Sequence, residues 1–217
     1  MTRIRRWTVP ALAATALIGS LALTGPAAAT SPPDAGPGTT AAAGDLTDAA
    51  GLADTVEAGD TDRTVDDSPE ARAAAPRITR AEEIRRARLW LTADNGKPVP
   101  YSQHRNWKDG YRQDCSGFVS MALGLPKPGA NTVALKNKGW TRPIKMSELR
   151  RGDLVIKAGS NDPNHRHVVI FDKWESGKRS YLSYEQAGRV GTRHAKHAYG
   201  LKAGDGYRAY RPVNLTD

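Results

Sequence analysis

The chain of 217 residues holds one cysteine, Cys115, in a setting that suits a nucleophile. It stands in Asp114-Cys115-Ser116-Gly117-Phe118-Val119, after the polar, turn-rich run 106–111 and before the apolar run 118–125. Phe118, Met121, Ala122 and Leu125 recur at i, i+3, i+4 and i+7, which predicts a helix with Cys115 in its first turn. Unpaired backbone N–H groups and the positive dipole end at that place favour a thiolate, the form that attacks an acyl carbon. A buried structural cysteine is the other reading of a lone thiol.

A cysteine nucleophile needs a base to take its proton and a third group to orient that base. Histidine suits the first task because its pKa lies near neutrality. Five are present: His104, His165, His167, His194 and His197. His167 opens the apolar, β-branched run HVVIFDKW, so a sheet end would hold it rigidly, and His165 lies two residues earlier in a polar loop. Glu185 and Gln186 lie on the strand expected to pair with it. Which of the two faces the imidazole stays open, because a one-residue slip exchanges the faces of a strand. The pairs His165-x-His167 and His194-x-x-His197 hint at zinc. No second cysteine or carboxylate cluster completes a closed site, so neither metal nor cofactor is expected. Asp114 suits a helix-start carboxylate better than a catalytic one.

The elements that must position these groups begin well inside the chain. Residues 1–29 read as a secretory signal peptide: Arg3, Arg5 and Arg6, a short apolar run, then Ala27-Ala28-Ala29 with cleavage after Ala29. The apolar run is short for a membrane span, so no stable membrane insertion is expected after cleavage. Residues 30–76 read as a disordered acidic linker or pro-segment, with ten acids against two arginines (−8) and no aromatic residue. Residues 77–217 carry 27 Lys and Arg against 13 Asp and Glu (+14) and form the expected folded domain. An exported chain with one cysteine cannot form a disulfide within itself, so its stability must come from the core.

Within the domain, Thr79-Arg80-Ala81-Glu82 reads as a capping box opening a helix that ends near Ala93, before Asn95-Gly96. A loop with Pro98, Pro100-Tyr101 and His104 leads to the Cys115 helix, which Pro126, Pro128 and Gly129 are expected to end. Then come a turn at Arg151-Gly152-Asp153, a strand at Leu154-Val155-Ile156, the strand 167–174, a hairpin strand over 179–186 and a last strand over 207–213. Helices first and antiparallel strands after predict an α+β fold with one main sheet.

The order Pro100-Tyr101, Asp114-Cys115-Ser116-Gly117-Phe118-Val119, Arg151-Gly152-Asp153-Leu154, then His167-Val168-Val169-Ile170-Phe171 resembles the NlpC-type cell-wall peptidases, which are papain-like cysteine hydrolases. The likeness spans roughly 79–188. It implies a papain-like NlpC-type domain with N-terminal helices packed on an antiparallel sheet, Cys115 as nucleophile, His167 as base and Tyr101 close to the nucleophile. The family cuts peptide or amide bonds in peptidoglycan without a metal. Two departures stand out. Tyr101 is followed by Ser102-Gln103-His104 where the family commonly has a Trp-Gly-Gly run. The third position, often His in the family, is expected to be Glu185, as in the related CHAP amidases, with Gln186 as the alternative.

The resulting expectation is a secreted, wall-associated cysteine peptidase or amidase acting on peptidoglycan stem peptides through Cys115, His167 and Glu185. Tyr101, Asp114 and Ser116 are the candidate substrate-binding residues. The alternatives are acyl or peptidyl transfer at the same site and a non-catalytic wall-binding module. A basic exported domain suits peptidoglycan and anionic wall polymers as partners; no nucleic-acid motif appears, and a monomer is expected.

Overall fold

The computed structural model describes Asp66 and residues 68–217. The expected signal peptide, its cleavage point and most of the acidic segment lie outside the described residues. A helix stands before the expected boundary at 76/77. Helix α1 (Pro69–Ala74) has Ser68 as N-cap, its hydroxyl accepting from the Ala71 N–H at 3.0 Å, and Ala75 packs on the core. The end of the acidic segment therefore belongs to the fold.

Strand β1 (Ile78–Thr79) pairs in parallel with β8 (Leu215–Thr216) and closes the domain's start onto its end. Helix α2 (Arg80–Leu89) follows, with Thr79 as N-cap accepting from the Glu82 N–H at 3.1 Å. Only half of the expected capping box forms. The Glu82 carboxylate turns along the helix to Arg85 and Arg86, at 2.7 and 2.8 Å, instead of back to the cap. The helix also ends at Leu89, short of Ala93, with Trp90 as its C-cap. Its inner face buries Ile84, Ala87 and the carboxylate of Glu83, whose two oxygens have no hydrogen-bond partner. Burial, reinforced by the nearby Asp153 charge and opposed by Arg80, pushes the Glu83 pKa well above the usual carboxylate range.

Helix α3 (Cys115–Leu123) is buried at all nine positions, more than the single stripe the periodicity predicts. It ends one residue before Gly124, which caps it in the left-handed region at φ 67°, ahead of the expected prolines. Leu125 thus falls outside the helix, although it is buried. Asn214 donates to the Leu123 carbonyl at 2.9 Å and to Pro76 at 3.0 Å, so the chain's end holds this helix and the entry segment together.

Helix α4 (Thr132–Asn137) leads into an antiparallel sheet of six strands in the order β2-β7-β3-β4-β5-β6. These are β2 (Thr141–Ile144), β3 (Leu154–Lys157), β4 (His167–Trp174), β5 (Tyr181–Ala187), β6 (Gly191–His197) and β7 (Arg208–Pro212). The expected hairpin strand starts at Tyr181 and not at 179, and the last long strand runs 208–212. Strands β2 and β6, and helix α4, have no counterpart in the sequence-based expectation.

The central strands are buried on both faces, which explains their apolar runs. On one face Leu154, Ile156, Val168, Ile170 and Tyr184 pack against Phe118, Val119, Ala122 and Leu123 of α3. On the other, Val155, Val169, Phe171 and Tyr181 pack against Leu149, Tyr207 and Ala209. Each fully buried aliphatic or Phe side chain contributes about 1.5–3 kcal/mol. The result is the α+β architecture expected, with α3 wedged between α2 and the sheet.

Candidate active site

The turn before α3 is built around a buried ion pair. Asp114 is the N-cap, its Oδ1 accepting from the Gly117 N–H at 2.6 Å and from the Ser116 hydroxyl at 3.1 Å. Its Oδ2 accepts from Arg112 Nε at 2.7 Å. The same guanidinium reaches the Gly129 carbonyl, the Ser116 hydroxyl at 3.0 Å and the Ala130 carbonyl at 3.3 Å. Arg112, which sequence reasoning missed, thus pins the loop before the thiol to the loop after α3. Gly117 explains itself by space, since a Cβ there would lie 2.2 Å from the Arg112 carbonyl oxygen. Asp114 and Ser116, expected as substrate contacts, spend their polar groups on this internal network, although both border the cleft over the thiol.

Cys115 is buried and free, and its sulfur lies 3.9 Å from the Thr132 hydroxyl. It neighbours His167, the first residue of β4, closely enough to raise that imidazole's pKa. The other side of the imidazole is held by Glu185, with Nε2 to Oε2 at 2.7 Å. Glu185 opposes Arg193 in the β5–β6 register, and its carboxylate is fully buried. Oε1 accepts from Arg193 Nε at 2.5 Å. Nε2 of the buried His197 also lies 2.9 Å from Oε1, but without hydrogen-bond alignment, so this contact is electrostatic.

These contacts set the charges. Burial works against the imidazolium of His167, but its interactions with Cys115 and Glu185, together with their charges, outweigh it and hold its pKa well above the ordinary value. Burial likewise works against the Glu185 carboxylate, and the bond to His167 with the contact and charge of His197 holds its pKa well below the usual range. The array thus favours an imidazolium at His167 beside the Glu185 carboxylate, the arrangement in which an imidazole serves a cysteine nucleophile.

Strand alternation decides between Glu185 and Gln186. Tyr181, Ser183 and Glu185 share one face; Tyr184 and Gln186 share the other. Gln186 is buried facing the opposite way, where its Nε2 donates to the carbonyls of Val99, Pro100 and Gln113 at 3.2, 3.1 and 3.1 Å and its Oε1 accepts from Thr192 at 2.7 Å. It ties the segment carrying Tyr101 to the segment carrying Cys115 and does not touch His167.

A narrow cleft opens over the thiol between Tyr101, Gln103, Thr132, Pro163 and Arg166. Tyr101 accepts a hydrogen bond from Gln103 Nε2 at 3.1 Å. The other histidines lie elsewhere: His104 is exposed, His165 is exposed and paired with Asp162 at 2.7 Å, and His194 stacks on Tyr184 with Nε2 3.0 Å from Asp172. Among the described residues no group of three or more His, Cys, Asp or Glu is placed to hold a metal ion, and no helix is long and apolar enough to cross a membrane.

The family model described as "NlpC/P60 family" matches residues 99–208. Three solved structures are similar to this chain. An NLP/P60-family protein "similar to lipoprotein" from Staphylococcus aureus is 18% identical, covers 67% of this chain and 42% of its own, with a TM-score of 0.42. An NlpC/P60 family protein from Bacillus cereus is 17% identical, covering 64% of this chain and 42% of its own, with a TM-score of 0.39. The peptidoglycan hydrolase RipB from Mycobacterium tuberculosis is 21% identical, covering 69% and 73%, with a TM-score of 0.41. This chain thus spans less than half the length of the first two. Comparison with curated proteins gives no match.

Proposed function

The chain belongs to the NlpC/P60 family, and from that premise we infer that it is a secreted cysteine hydrolase that cuts peptide or amide bonds in the stem peptides of peptidoglycan. The observation that carries this reading is the line of contacts from the Cys115 thiol through His167 to the buried Glu185 carboxylate. In the proposed reaction the Cys115 thiolate attacks the scissile carbonyl carbon while the imidazolium of His167 stands ready beside it. The N–H of Cys115 lies in the first turn of α3, where backbone donors have no partner within the helix, and it stabilises the oxyanion. As the tetrahedral intermediate collapses, the C–N bond breaks and His167 gives its proton to the leaving amine. A thioester remains on Cys115. Water then attacks it, His167 takes a proton from that water, and the carboxylic acid product leaves with the thiolate restored. Glu185 orients the imidazole and stabilises its cationic form throughout.

The reading extends to the whole chain as follows. Residues 1–29 direct export, the acidic segment follows, and the basic domain meets peptidoglycan and anionic wall polymer outside the cell as a monomer. The test is mass spectrometry of muropeptides after digestion with the protein. New amine and carboxyl ends within stem peptides, absent with Cys115→Ala, are the expected result. Intact stem peptides with wild-type protein, or equal cutting by Cys115→Ala, overturn it.

A further inference from the structure

The geometry points to Arg193 as a positioning residue of the catalytic array, a cation on the neighbouring strand that fixes Glu185 by one oxygen and leaves the other for His167. This rests on the catalytic reading of Cys115, His167 and Glu185. Arg193 and Glu185 are directly opposed across the β5–β6 ladder, so their side chains leave the same face. Arg193 Nε holds Oε1 at 2.5 Å and His167 Nε2 holds Oε2 at 2.7 Å, so the carboxylate is gripped at both ends and cannot rotate away from the imidazole.

The chemistry requires such a partner. The Glu185 side chain has no exposed surface, and a buried carboxylate without a countercharge is costly. His167 cannot supply that charge throughout, because the base alternates between imidazolium and neutral imidazole during each turnover. Arginine is always charged, so Arg193 balances Glu185 in the half of the cycle when His167 is neutral. Its side chain is 35% exposed, so its own cation stays partly hydrated while its Nε is committed to the carboxylate. Among the described residues the other titratable groups facing Glu185 are few. His167 stands on β4, His197 on β6 lies 2.9 Å from Oε1, and Tyr181 shares the face on β5. Tyr199 stacks on His197 at 4.5 Å and stands edge-on to His167 at 5.9 Å. Cys115 acts on the array through His167.

The test uses the protein with Arg193→Gln, Arg193→Met and Arg193→Lys. It measures the pH dependence of Cys115 alkylation by iodoacetamide, muropeptide hydrolysis and the melting temperature. Removing a cation beside the array disfavours its anionic groups, so the acid limb of alkylation moves to higher pH in Arg193→Gln and Arg193→Met. In the same variants kcat falls on the order of tenfold while KM changes little, and Arg193→Lys restores both limb and rate in large part. An alkylation profile unchanged in both neutral variants overturns the proposal even if they melt earlier, because stability loss alone leaves the profile in place. Alkylation needs no peptidoglycan, so a wild-type protein that fails to hydrolyse muropeptides refutes the functional reading and leaves the Arg193 result decisive by itself.

Discussion

Glu185→Gln keeps the shape of the third residue and removes its charge. The imidazole of His167 still finds an acceptor oxygen, but the 2.7 Å bond loses its charge assistance. A hydrogen bond to a charged group contributes about 1.5–3 kcal/mol, and at about 1.36 kcal/mol per factor of ten the loss corresponds to roughly a 10- to 150-fold fall in kcat. His167→Ala costs more, since it removes the proposed base itself. Stability responds as well. Breaking a buried charged pair costs about 3–5 kcal/mol, and because Arg193 is 35% exposed the lower end is expected. The pH dependence has a definite sign. The folded pKa of Glu185 lies below its ordinary 4.5, so its contribution is present above that value and is lost as pH falls through the folded value. The folded pKa of His167 lies above its ordinary 6.5, so its contribution is complete below that value and is lost as pH rises through the folded value. The wild-type protein therefore draws most from this pair between about 4.5 and 6.5, and Glu185→Gln flattens both edges. Initial rates on purified muropeptides and melting curves from pH 3 to 9 measure both effects. A kcat within about threefold of wild type, with unchanged pH edges, would refute the orienting role of Glu185.

Three further outcomes follow from other parts of the molecule. His165→Ala leaves hydrolysis near wild type while His167→Ala abolishes it, because His165 is exposed and held by Asp162; the reverse rates would move the base to His165. Gly117→Ala forces a methyl group to within 2.2 Å of the Arg112 carbonyl oxygen, and the overpacking costs about 1–3 kcal/mol or more and displaces the Cys115 turn, so melting temperature and kcat both fall; an unchanged melting curve contradicts this. Glu83→Met removes two unpartnered buried oxygens worth about 1–3 kcal/mol, or roughly 2–10 °C in melting temperature. Because the folded pKa of Glu83 is raised, stability declines as pH rises above 4.5, so the gain is larger at pH 8 than at pH 4.5; equal gains at both would show that the site does not titrate in this way.

Much of this protein is legible along the chain because the deciding interactions are local. The Thr79 cap, the helix opening at Cys115, the turn at Gly152 and the apolar strand from His167 each depend on residues within one or two turns of one another, and all four stand where the sequence places them. Local signals mislead where a distant partner competes. Glu82 abandons the cap for Arg85 and Arg86, and the α1 segment, polar enough to read as linker, is ordered with its end packed on the core. Strand β6 (GTRHAKH) has no apolar pattern to announce it. It exists because β5 offers it a full ladder of backbone partners from Tyr181 to Ala187. That ladder is what brings Arg193 and His197 to Glu185, and no spacing in the chain encodes it. The choice between Glu185 and Gln186 is of the same kind. The sequence places both on the right strand, but strand alternation allows either face inward, and only the packing of Tyr184 against α3 fixes which one is left for His167. Residue types and nearest neighbours thus set what chemistry the chain can perform. Sheet register, a property of segments far apart in sequence, decides which side chains meet to perform it.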